Sequence, residues 1–188
     1  MNIIPTKPLY LFLILAGLTV FASNCSKINI DNPVITKNQL IIFQMEYINA
    51  AWGYQHNGYL IDSSGNVYTY SLPKKWTFCD STRSLSETDM LSNLSETDSI
   101  SYKIDKQELH AKLLLLGPAL KGTLSAPRHE MCDAGIASFN VYTYDAARTM
   151  YKQILLKQWG DIMIDNSSPA ADSICAWMNK IEIATRHY

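Results

Sequence analysis

One pentapeptide, Asn-Val-Tyr-Thr-Tyr, occurs twice in the chain, at residues 66–70 and 140–144. Valine, threonine and tyrosine are side chains that suit a pleated, half-buried surface, and their alternation with period two predicts a strand in each copy. Tyr68 and Tyr70 then share one face of their strand, and Tyr142 and Tyr144 one face of theirs. If the two strands were neighbours, the four rings would lie together. Exposed, they would form an aromatic surface able to bind a sugar, a peptide or a protein. Covered by helices, they are core residues whose hydroxyls each need a polar partner, which is the commoner outcome for such rings.

The remaining periodicities place these strands in a fold class. Residues 40–47 alternate, with Ile41, Phe43, Met45 and Tyr47 on one face and Gln44 and Glu46 on the other, which predicts a strand. Residues 59–61 and 67–70 flank the loop Asp62-Ser63-Ser64-Gly65-Asn66, whose short polar side chains and glycine predict a hairpin. The motif Leu-Ser-Glu-Thr-Asp occurs at 85–89 and again at 94–98. Each copy reads as a helix start, with a serine cap and, in the first copy, Leu85 placed to pack against Met90. A second helix is expected over residues 106–116, capped by Asp105 and ended by Gly117-Pro118, with Leu109, Leu113 and Leu116 on its buried edge. Residues 151–159 predict another strand, and Ser168-Pro169 opens a last helix running to about Ile183. Strands, helices, strands and a helix in that order imply an α+β fold, a mostly antiparallel sheet with helices packed on one face and a C-terminal helix.

Residues 1–24 carry Lys7, an apolar run of thirteen positions from Leu9 to Phe21, and then the small residues Ala22 and Ser23. A bilayer core needs about 20 apolar residues, so the run is the length of an export signal rather than of a membrane span. Its removal leaves 164 of 188 residues, enough for one domain with its own core. The expected organisation is a signal peptide over 1–24, an anchor cysteine and linker over 25–38, and a single α+β domain over 39–188. The apolar run, Cys25 directly after it and the polar pair Ser26-Lys27 resemble the small lipoproteins of Gram-negative, Bacteroidetes-type bacteria. The resemblance covers some 30 residues and implies acylation of Cys25, a lipid anchor in the outer membrane and a place in the cell envelope. Cleavage after Ala22 is the other processing the segment permits. It would leave Cys25 an ordinary cysteine and the protein periplasmic or secreted.

Cys25, Cys79, Cys132 and Cys175 include no C-x-x-C pair, which excludes a zinc ribbon or a thioredoxin-type motif. Export permits a disulfide. With Cys25 acylated, Cys175 is the odd thiol, because it lies beside the apolar stripe Ala171, Ile174, Met178 and Ile181. That leaves Cys79 to pair with Cys132.

A formal net charge of -1 and 18% charged residues argue against a nucleic-acid partner, and Lys74-Lys75-Trp76 is too small a basic patch to reverse that. No glycine-rich phosphate loop and no Gly-x-Ser-x-Gly elbow is present, and no cofactor is implied. The cluster His129-Glu130-Met131-Cys132-Asp133 holds metal-ligand residue types, but neighbours on an extended chain point apart. Glu46, Asp62, Asp161 and Asp165 are the carboxylates from which a hydrolytic pair would have to come, and no spacing singles two of them out. The expectation is a lipid-tethered, non-enzymatic binding or structural module for a protein or carbohydrate ligand. Its alternatives are a small secreted hydrolase or metal-dependent enzyme centred on Cys132, and an inhibitor or immunity-type partner protein.

Overall fold

A computed structural model of the chain describes residues 34–36 and 38–185. The signal segment 1–24, Cys25 and most of the 25–38 linker lie outside the described residues. In chain order the elements are β1 (Ile41–Asn49), β2 (Gln55–Asp62), β3 (Asn66–Ser71), β4 (Ser84–Ser86), α1 (Glu87–Ser95), β5 (Ile100–Lys103), α2 (Lys106–Leu114), α3 (Leu116–Leu120), β6 (Arg128–His129), β7 (Ile136–Asp145), β8 (Met150–Gly160), β9 (Ile162–Met163) and α4 (Pro169–Thr185). Seven strands form one antiparallel sheet in the order β4-β8-β7-β1-β2-β3-β5, and β6 pairs with β9 separately. The fold is α+β.

The first sheet face is apolar and is covered by α2, α3 and α4. Phe43 and Met45 of β1, Tyr59 and Ile61 of β2 and Phe139 and Val141 of β7 pack there against Leu113, Leu116, Ile174 and Met178. Each large side chain buried this way contributes about 1.5–3 kcal/mol. Trp177 meets Phe43 edge-on at 5.4 Å between ring centroids, an orientation that sets the positive ring edge against the negative face. The second face carries a smaller cluster of Ile41, Leu60, Tyr70, Tyr142, Tyr144 and Tyr151, closed by Leu85 of β4 and Met90 of α1. So α1 lies on the opposite face from the other three helices, a departure from the expected one-sided cover. A register irregularity between Ile41 and Phe43 also sends Ile41 to the second face and Ile42 to the first, where simple alternation predicts the reverse.

Both pentapeptide copies are strands, but β1 and β2 stand between them. The four rings still share one face, because Tyr68 pairs with Leu60, Leu60 with Gln44 and Gln44 with Asn140, two residues before Tyr142.

The first Leu-Ser-Glu-Thr-Asp copy starts α1, with the Ser86 side chain accepting the Asp89 backbone N–H at 3.0 Å. The second copy ends that helix instead of starting one: Ser95 is its last residue and Glu96 its C-cap. The segment after the second copy, Ile100-Ser101-Tyr102, has strand periodicity and pairs with β3, so no apolar helical stripe exists for a cap to serve. Asp105 caps α2 as expected, accepting from Gln107 and Glu108. Gly117-Pro118 marks no final stop, since α3 contains it. Proline at the third position of a helix lacks only an N–H that has no partner within the helix.

Candidate functional site

On the second face, beside the tyrosine cluster, the sheet is polar. Gln44 and Glu46 of β1 stand opposite Asn140 and Ser138 of β7, and those two stand opposite Leu155 and Gln158 of β8. Residues 76–83, beyond β3 in the chain, pass over this floor and leave a cleft of about 380 Å³, a volume in the range of small-molecule sites. Trp76, Thr77, Phe78, Cys79, Asp80 and Arg83 form its wall, and Asn93 of α1 contributes from the side. Asn93 holds that wall in place: its Nδ2 donates to the Thr77 carbonyl and its Oδ1 accepts the Thr77 N–H, both at 2.8 Å.

Gln44 is the hub of the floor. Its Oε1 accepts the Tyr142 hydroxyl at 2.5 Å and Gln153 Nε2 at 3.1 Å. Its Nε2 donates to the Tyr70 hydroxyl at 3.1 Å and to Glu46 Oε1 at 3.3 Å. All four hydrogen-bonding positions of one amide are thereby used, which fixes its rotamer. Burial, with Glu46 close by, pushes the Tyr70 hydroxyl well up. Burial, then Cys79 and Glu46, does the same to Tyr142. These hydroxyls stay protonated and serve as fixed donors. Gly58 is what admits the Tyr70 ring: a Cβ there would meet the Tyr70 hydroxyl at 2.6 Å and also the Met45 carbonyl.

His56 is 1% exposed, and its Nε2 lies 2.9 Å from Glu46 Oε1. Its ring is boxed by Tyr70 at 5.3 Å, Trp76 at 5.3 Å and Phe78 at 5.2 Å between centroids. The imidazole therefore anchors the aromatic wall to the polar floor, with Trp76 lying against Tyr70 at 4.3 Å.

Of the two readings of the tyrosine face, the covered one holds for three of the four rings. Tyr70, Tyr142 and Tyr144 are buried. Only Tyr142 lines the cleft, and Tyr70 acts behind it. Tyr68, on β3, donates to Asp62 Oδ2 at 3.0 Å and so ties its strand to the hairpin turn.

Cys79, Cys132 and Cys175 are free thiols, and the bridge expected between Cys79 and Cys132 is not formed in the structure. Cys79 hydrogen-bonds Tyr142, whereas Cys132 lies beyond the other end of β7, four residues before Ile136. Burial pushes the Cys79 thiol up, the opposite of what an activated nucleophile needs. Burial pushes Cys175 up to about 12. Alkylation of the native, unreduced protein at pH 8 is expected to modify exposed Cys132 readily and to spare Cys175 until the protein is denatured. A mass two hydrogens lower, with Cys79 and Cys132 both unmodified after denaturation, would show the bridge instead.

The other sequence candidates disperse. Asp161 accepts the Ala134 N–H at 2.8 Å, and Asp165 holds Arg128 at 2.9 Å and Lys157 at 3.1 Å. Asp62 accepts the Ser64 and Asn66 N–H groups at 2.8 Å. Glu130 pairs with Arg128 at 3.3 Å. Among the described residues no three His, Cys, Asp or Glu side chains converge as a metal cage.

No family model, curated protein or solved structure matches the chain. The cleft's chemistry therefore rests on its own residues. Sequence reasoning put Gln44 and Glu46 opposite the core face of their strand but did not join them to Ser138, Asn140, Gln153, Trp76, Phe78 or His56. The alternation of Ser138, Asn140 and Tyr142 was the available signal, a strand face too polar to be core.

Proposed function

We propose that the protein is a lipoprotein of the cell envelope, tethered through Cys25 to the outer membrane, whose α+β domain is a non-enzymatic binding module. The cleft between the β1-β7-β8 floor and the residue 76–83 wall is its ligand site. The observation that carries this reading is a cavity of about 380 Å³ whose polar lining is fixed in advance by the Gln44 network. Pre-organised polar groups in a concave site lower the cost of binding. The raised Cys79 thiol and the dispersal of Asp62, Asp161 and Asp165 favour binding over the hydrolase alternative.

The intact mass of the full chain from a membrane extract tests the tether. A diacyl or triacyl mass on a chain beginning at Cys25, lost in Cys25→Ser, is the expected result. An unacylated chain beginning at Ser23 would make the protein periplasmic or secreted and overturn the anchor. A hydrolytic activity abolished by Glu46→Gln would overturn the non-enzymatic reading.

A further inference from the structure

We propose that the cleft receives a neutral saccharide, one ring resting on Phe78 and its hydroxyls meeting the polar row Glu46, Ser138 and Gln158. This names the ligand class of the binding reading above and rests on it. Glu46 stands opposite Ser138 across β1 and β7, and Ser138 stands opposite Gln158 across β7 and β8. All three line the cleft. Side chains directly opposite lie about 4.5–5.5 Å apart, so the row extends over about 10 Å of floor.

The hydrogen-bonding capacity left open along this row is of both kinds. Ser138 Oγ accepts from Asn140 Nδ2 at 3.0 Å, which leaves its O–H to donate. Gln158 Nε2 donates to the Ile162 carbonyl at 3.2 Å, which leaves its Oε1 to accept. The bonds of Glu46 to His56 and Gln44 both fall on Oε1, so only its Oε2 accepts further. Arg83, on the wall, gives one bond to Gln153 Oε1 at 3.2 Å and keeps its other N–H donors. A hydroxyl donates and accepts at one atom, so a ligand rich in hydroxyls can answer donors and acceptors that alternate over a short distance. Charge is not concentrated in the lining. Asp80 Oδ1 is taken up by the Thr82 and Ser84 N–H groups at 2.8 and 2.9 Å, and Arg83 is set against Glu46 and Asp80, so an uncharged ligand suits the cleft better than an ion.

The aromatic wall supplies the other half of the match. Phe78 stacks on His56, with 28° between the planes and 5.2 Å between centroids, and His56 is itself held by Glu46 at 2.9 Å. One face of the phenyl ring is thereby backed, yet the residue is 49% exposed, so what it presents beside the cleft is its other face. That face is electron-rich. The weakly positive C–H groups on the flat side of a sugar ring pack on such a face while the hydroxyls project from the ring's edge. Tyr54, 57% exposed and 6.3 Å from His56, continues the aromatic surface past the cleft. A peptide is a poorer match. β1 and β7 are paired on both sides, so this part of the floor has no free backbone edge, and such an edge is what supplies the main-chain bonds when an extended peptide adds to a sheet.

Titration calorimetry on the full-length protein, in a detergent without a sugar headgroup, tests this with maltotriose, cellotriose, laminaritriose and tri-N-acetylchitotriose beside the uncharged peptide N-acetyl-tri-alanine amide. The expected result is binding of at least one trisaccharide in clear preference to the peptide. Ser138→Ala is expected to weaken it about 2- to 10-fold, the worth of one neutral hydrogen bond, and Phe78→Ala by a similar factor of about 2- to 10-fold through loss of the stacking face. Phe78→Trp keeps an aromatic face and is expected to retain the binding that Phe78→Ala loses. A trisaccharide bound equally by the wild type and all three variants would overturn the inference. So would the peptide bound as tightly as any trisaccharide, an outcome that leaves the cleft as a binding site. No heat from any of the five compounds would overturn both this inference and the binding reading.

Discussion

Replacing Phe43 by alanine is expected to destabilise the domain by about 3–5 kcal/mol, the range for emptying a large aromatic position in a core. The ring is 0% exposed, stands on β1 at the middle of the sheet, and meets Trp177 of α4 edge-on. Its strand neighbours Ile61 and Val141 are fixed by ladders on both sides, so the surroundings have little freedom to collapse into the space. Domains of this size are stable by about 5–15 kcal/mol in total, and the loss therefore takes a large share of the margin. Urea denaturation followed by tryptophan fluorescence measures it, as a lower midpoint with an unchanged slope. A loss below about 1 kcal/mol would show that α4 does not hold the first sheet face as described.

Gly160→Ala is expected to cost about 3 kcal/mol or more, by a different route. Gly160 ends β8 with φ at +113°, and a Cβ there would meet the Gly135 carbonyl oxygen and lie 3.0 Å from the Gly135 carbonyl carbon. The obstacle is backbone, and it belongs to the turn that leads into β7, so relief requires moving a strand rather than a side chain. Because Gly160 pairs with Ile136 and Ser138 with Gln158, the displacement reaches the outer end of the cleft. A thermal melt of this variant beside Gly117→Ala separates geometry from chemistry. Beyond its two chain neighbours Gly117 has nothing within 4 Å of its notional Cβ, and alanine there, strained only by the following Pro118, is expected to cost far less than at Gly160. Equal melting temperatures for the two variants would refute the argument.

Legibility in the sequence followed the range of the interaction. The two pentapeptide strands, the Asp62–Asn66 turn, the Ser86 and Asp105 caps and the Pro169 helix start were all readable, because each is decided by residues within a few positions of one another. The second Leu-Ser-Glu-Thr-Asp copy misled for the same reason: capping chemistry is local, but whether a helix forms beyond it depends on an apolar face, and that segment's partner is β3. The expected Cys79–Cys132 pair came from parity, which contains no distance. The cleft was the least legible feature. Its residues come from β1, β7, β8, α1 and the chain after β3, and nothing in Glu46 or Ser138 alone announces that the two stand opposite.

By itself the sequence determined the secondary structure with period two or a cap to mark it, and from the order of those elements the α+β class. Its first residues also carry the export and acylation expectation, since targeting is read from linear sequence. Only the tertiary structure decided the strand order, the side of the sheet taken by α1, the burial of the tyrosines and the assembly of the Gln44, Glu46, Ser138 and Asn140 floor. The reason is physical: periodicity fixes which side chains share a face of one strand, whereas which strands lie side by side is set by the burial of both sheet faces together.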